Sequence, residues 1–114
     1  MTEKTELIHD LSVIGHLSKK IDVSDKEQVR AILVLQRDDG LFKTNFGKRF
    51  IARLIDYFTD KPAKDTCIFT GKKLNSLFPV SEDFLDIIYS SPEKAADILL
   101  NSKTGTKRTN QIEK

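Results

Sequence analysis

The chain has a single cysteine, Cys67, in 114 residues. No disulfide can close within it, and any bridge must join two chains. With two histidines and no second cysteine, it carries no recognisable zinc pattern, and no cofactor is expected. Long apolar runs are also missing. The longest is Ala31 to Leu35, five residues, where crossing a bilayer takes roughly 20. The start MTEKTELIHDL places acids where a signal peptide needs an apolar segment, so a cytoplasmic protein without membrane association is expected. Neither sign of charge dominates: 19 basic and 17 acidic residues leave a formal charge of +2, too little to announce nucleic-acid binding by its sum.

What is present is the make-up of a folded domain. Hydrophobic residues are 39% and charged residues 32% of the chain, unlike a disordered segment. The length suits one compact fold with a modest core plus a short extension, and excludes large enzymes. The charge is unevenly spread: positions 1–80 hold 14 basic and 11 acidic residues, 81–101 hold 1 and 5, and 102–114 hold 4 and 1. An acidic block therefore precedes a basic tail. These divisions suggest a helical dimerisation domain over 1–78, a C-terminal helical hairpin over 79–101 and a disordered tail over 102–114, where apolar periodicity is absent.

Periodicity predicts an all-α fold. Leu7, Ile8, Leu11, Ile14, Leu17 and Ile21 recur at three- and four-residue steps, the mark of one buried stripe on a first helix from Thr5 to about Ile21. SDKE then reads as a capping box, Ser24 and Glu27 each satisfying the other's backbone N–H, with a second helix from near Asp25 that Gly40 ends in a left-handed turn. A third helix, roughly Thr44 to Thr59, sets Phe46, Phe50, Ile51, Leu54, Ile55 and Phe58 against Lys48, Arg49, Arg53 and Asp56. DTCIFTG suits a short extended segment near residues 66–69, and KKLNSLFP a short helical turn before Pro79. Ser81 and Ser91 are fitting N-caps for two last helices, with Pro92 at the first position of the second. The pair forms a helix-turn-helix-like hairpin.

Few residues offer chemistry. His9 and His16 lie almost two helical turns apart without a nucleophile or ligand set to complete a site. Cys67 is read as a buried, inert thiol in preference to a reactive one, since Asp65 stands nearer to it in sequence than Lys64. The hairpin could in principle enter a major groove, but Glu82, Asp83, Asp86, Glu93 and Asp97 oppose Lys94 alone, and phosphates would repel them. Lys48, Arg49, Lys72 and Lys73 are candidates for DNA-backbone contact if the fold gathers them, and otherwise form a solvated face. The tail residues Lys103, Lys107 and Arg108 could add weak, sequence-blind attraction.

The second helix poses a sharper question, because Ala31, Ile32, Leu33, Val34 and Leu35 cover more than a full turn and no single protein layer can hide them. A chain this small has few layers, while burying one exposed Leu or Ile is worth about 1.5–3 kcal/mol. A symmetric homodimer is the economical solution. Its expected interface takes Leu7, Leu11, Ile14 and Leu17 from the first helix and Ile32, Leu33 and Leu35 from the second.

The order of segments, LSKKIDVSDKEQVRAILVL, then DTCIF, then DFLDIIYSSPEKAADILLN, resembles the FlhD subunit of the flagellar master activator FlhDC and its conjugative-element relatives, over about Leu7 to Asn101. QRDDGLFKTNFGKRF and Pro79 depart from the flagellar pattern and favour a mobile-element or divergent regulator. The resemblance implies an intertwined all-helical homodimer, with Cys67 near the twofold axis as a possible intersubunit disulfide. It also implies a non-enzymatic subunit that joins an FlhC-like zinc protein, binds promoter DNA through the complex and activates RNA polymerase. Asp83, Asp86, Tyr89 and Asp97 on the acidic hairpin are then expected to dock the partner. The alternative is a small helical interaction protein, such as a phage or plasmid inhibitor or a secretion chaperone.

Overall fold

The computed structural model describes residues 3–62 and 64–105, the last four by backbone alone. Five helices follow one another: α1 (Glu3–Lys20), α2 (Lys26–Asp39), α3 (Asn45–Phe58), α4 (Glu82–Ser90) and α5 (Pro92–Gly105). Among the described residues no strand forms, and the expected extended piece holds one isolated antiparallel bridge, Thr66 to Lys73. None of these helices is long and apolar enough to cross a membrane.

α1 is the hub. It packs on α3, α4 and α5, while α4 and α5 pack on each other. Its stripe of Leu7, Leu11 and Ile14 is fully buried in a core shared with Phe50 and Leu54 of α3, Phe84 and Ile88 of α4, and Ala95 and Leu99 of α5. Small residues allow the close crossings. A Cβ added at Gly15 would stand 2.9 Å from the Ile88 side chain, so a larger residue there would push α4 away. α2 is different: among the helices it touches α3 alone.

Local chemistry sets the helix ends, in part differently from the sequence reading. The N-cap of α2 is Asp25, whose carboxylate accepts from the backbone N–H of Glu27 and Gln28 at 3.0 and 3.4 Å. Ser24 instead donates its hydroxyl to Asp22 at 2.6 Å. The expected Ser24–Glu27 capping box is therefore replaced by a carboxylate cap one residue later, a stronger acceptor for helix N–H groups. Gly40 closes α2 at φ 61 and donates its N–H to Gln36. Thr44 caps α3, accepting from Gly47 N–H at 3.2 Å.

The segment between α3 and α4 has no helical turn at KKLNSLFP; the chain there bends without one. It is pinned to Cys67 and its neighbours by backbone bonds, Cys67 N–H to Lys72 and Ile68 N–H to Pro79. Ser81 holds the N-cap position of α4 without a capping side-chain bond, whereas Ser91 caps α5 by accepting from Lys94 N–H at 3.1 Å. α5 runs to Gly105, one turn beyond the expected hairpin end. The rest of the tail, including Lys107 and Arg108, lies outside the described residues.

Candidate interaction surfaces

The apolar run in α2 is half covered. Val29 and Ile32 point into the core, Leu33 and Val34 are half-buried, Ala31 is exposed and Leu35 is 44% exposed. Ala31, Val34 and Leu35, with Glu27 and Arg30 beside them, line a shallow groove on the side of α2 away from α3. This is the direct consequence of α2 having one helical neighbour. Of the seven residues expected at a dimer interface, only Leu35 is well exposed. Leu7, Leu11, Ile14 and Ile32 are consumed by the chain's own core, and Leu17 and Leu33 are half-buried. A contact with another copy through the α1 stripe is corrected on that ground, because α3, α4 and α5 already cover it.

Cys67 is 3% exposed and unpaired. Burial pushes its thiol up, but the Thr70 hydroxyl and the backbone groups of Ser81, Phe69 and Thr70 bond to it and bring it below the ordinary value. The Phe69 N–H lies 3.4 Å from the sulfur. A bridge to a second chain would need this turn to open, so the disulfide position implied by the resemblance is not accessible in the folded protomer.

The four candidate DNA-contact cations divide. Lys48 and Arg49 sit exposed in the first half of α3, with the Arg49 guanidinium 5.0 Å from the Phe46 ring centre. Lys72 is held by Asp83 at 2.5 Å and Lys73 faces Asp65 at 3.8 Å. A ladder of rings, Phe46 to Phe69 at 6.5 Å and Phe69 to Phe84 at 5.3 Å, joins the start of α3 to the start of α4. Arg49 stands over the first ring of this ladder, while Lys72 and Lys73 are paired with neighbouring carboxylates.

The docking candidates on the hairpin are mostly engaged within the chain. Asp97 pairs with Lys4 at 2.9 Å, tying α5 to α1. The Tyr89 hydroxyl bonds the Ser18 hydroxyl, and the Lys19 ammonium stands 4.3 Å over the Tyr89 ring. Asp83 holds Lys72, which keeps its carboxyl down at about 2. Asp86 remains exposed beside Lys72 and Lys73.

Two features escaped the sequence reading. Asp10 is fully buried in α1, where its carboxylate accepts from the backbone N–H of Lys43 and Thr44 and from the Thr44 hydroxyl at 2.7 Å. The signal was available: position 10 falls on the same face as Leu7, Leu11 and Ile14. The second is a cleft of about 450 Å³ between the start of α2, the end of α3 and residues 64–77, with Val23, Val29, Phe58 and Leu77 in its walls. No sequence periodicity marks it, because three separate segments build it.

Among the described residues no group of three or more His, Cys, Asp or Glu side chains could hold a metal ion. No family model, curated protein or solved structure matches this chain.

Proposed function

We propose that this chain is a non-enzymatic subunit that acts by binding protein, pairing with a second copy through the outer face of α2. The observation that carries the reading is the strip of exposed Ala31 and Leu35 and half-buried Val34 on a helix with a single helical neighbour among the described residues. Apolar area on that strip is worth about 25 cal/mol per Å² once removed from water. A twofold pairing of one helix face with itself covers it without a further gene product. In the specific form suggested by the sequence resemblance, the pair is the FlhD-like part of a heteromeric transcriptional activator, completed by an FlhC-like zinc protein. Promoter DNA is bound through that complex, with Lys48 and Arg49 as the two of the four candidate cations that carry no ion pair among the described residues. RNA polymerase is engaged indirectly, and the compartment is the cytoplasm.

Native mass spectrometry of the purified chain tests the pairing: two copies are expected, and a single chain at high concentration overturns it. A gel shift on promoter DNA, with and without a co-expressed FlhC-like protein, tests the assembly. Tight, specific binding by the isolated chain, or none with the partner, counts against the activator reading.

The engagement of Lys72, Lys73, Asp83, Tyr89 and Asp97 inside the chain favours a second reading, a small interaction protein that binds a target other than DNA. Pull-down from the host separates the two, through RNA polymerase and a zinc protein on one side and an unrelated target on the other.

A further inference from the structure

The cleft beneath the start of α2 is built, not incidental. α3 ends abruptly at its mouth, where Asp60 takes a left-handed φ of 58, a conformation costly for a non-glycine residue. Its walls are braced from three sides. The Tyr57 hydroxyl donates to the Leu77 carbonyl at 2.6 Å, Leu74 N–H donates to Asp65 at 2.7 Å, and Arg53 donates to the carbonyls of Lys64 and Thr66 at 2.9 and 2.8 Å. The floor is apolar, and its outer lip is Leu77, 58% exposed and the most exposed large hydrophobic among the described residues. A volume of about 450 Å³ falls within the range of sites that take a drug-sized ligand or an anchoring side chain.

The charges at the mouth are unequal in what they still offer. Lys26 is paired with Asp60 at 2.5 Å, and Asp65 faces Lys73. Lys61 and Lys64 have no carboxylate within ion-pair distance among the described residues. Both acids of the cleft are thus spoken for, and two ammonium groups are not. An occupant that leaves them satisfied carries negative charge next to a large apolar group.

We infer that this cleft docks an acidic segment of a partner protein, inserting a large apolar side chain between Phe58 and Leu77 with its flanking carboxylates on Lys61 and Lys64. The inference rests on the reading of the chain as a protein-binding subunit and names the chemistry of its partner. A well-packed apolar anchor inside a polar rim is the arrangement by which a few residues dominate an interface. The rim charges add steering and salt dependence.

The test uses the full-length, isotope-labelled chain and three end-blocked hexapeptides. One has a central leucine–phenylalanine pair between acidic pairs, the second replaces the acids by lysines, and the third replaces the apolar pair by serines. Saturable amide shifts confined to residues 23–29, 57–61 and 74–77 are expected with the first peptide only. The double variant Lys61→Glu, Lys64→Glu should weaken it by about tenfold, two exposed ion pairs being lost and reversed. Equal binding of the lysine peptide, shifts on the outer face of α2, or no saturable shift at all overturns the proposal. So does decanoate binding at the cleft more tightly than the acidic peptide, which would assign it to a free amphiphile. Native mass spectrometry on the same samples keeps the two readings apart. A paired chain with a silent cleft sinks the cleft alone, and a single chain that takes the peptide sinks the pairing alone.

Discussion

Asp10 on α1 and Gly47 on α3 approach so closely that a Cβ at position 47 would lie 2.6 Å from the Asp10 carboxylate and 2.8 Å from the Phe42 ring. The carboxylate fills the place a side chain would take and holds the α2–α3 connection, gathering the N–H groups of Lys43 and Thr44. Thr44, in turn, uses its hydroxyl twice, donating to Asp10 and accepting from Gly47 N–H. This one buried side chain thus ties α1 both to the start of α3 and to the connection that leads in from α2.

Asp10→Ala leaves two backbone donors and a hydroxyl without their acceptor, and should destabilise the fold by about 2–4 kcal/mol, each unsatisfied buried donor costing roughly 1–3. Asp10→Asn keeps the shape but sets an amide donor among donors, so an intermediate loss is expected. Gly47→Ala should cost about 1–3 kcal/mol through overpacking against Phe42 and Asp10. Urea unfolding of the three variants checks the order. A Gly47→Ala protein as stable as the parent would show that α3 can shift freely on α1.

Much of the helical order was legible because it is local. The steps of Leu7, Leu11 and Ile14, the glycine stop at Gly40 and the serine–proline start at Ser91–Pro92 are set by spacing and backbone geometry within a few residues. What covers each face was not legible. The α1 stripe looks the same whether a second copy or α5 lies on it, and only the tertiary packing assigns it to the chain itself. Asp10 was hidden by the rule that charges lie outside, which fails wherever backbone donors converge. The Ser24 cap lost to Asp25 because two acceptors stand side by side in the sequence and the choice turns on one residue's backbone angle, φ −90 and ψ 107 at Asp25.

Leu35 and Ile32 sit three residues apart on α2 and should respond oppositely to charge. Leu35→Asp alters an exposed position and should leave the melting temperature nearly unchanged while shifting the chain from two copies to one in native mass spectrometry. Ile32→Asp buries a carboxylate without partners and should unfold the protomer. If Leu35→Asp still pairs at the parent concentration, the outer face of α2 is not the contact.

Cys67 should be protected by position, not by chemistry. Its hydrogen-bonded surroundings favour the thiolate, yet the side chain lies in the core. Labelling by an aromatic disulfide reagent is expected to be slow in the native chain and rapid in denaturant. Cys67→Ser should leave the copy number unchanged. A covalent dimer on non-reducing gels of native, air-exposed protein would contradict the buried placement.

Asp83 gives the fold an acid-sensitive joint. The hydrogen bond from Lys72 is the chief cause that holds its carboxyl at about 2, against about 3.9 for an unperturbed aspartate. Because the folded value is the lower one, the unfolded chain takes up the proton first as pH falls. The stabilisation is fully present above the unfolded value and is lost as pH drops through the interval down to about 2. Both side chains are more than half exposed, so the effect on global stability is small and weakens with salt. The site-specific readout is sharper: in Lys72→Ala, the Asp83 carboxyl carbon should titrate near the ordinary aspartate value. Should its midpoint stay where it is in the parent, Lys72 is not what anchors Asp83, and the cation becomes available to a partner.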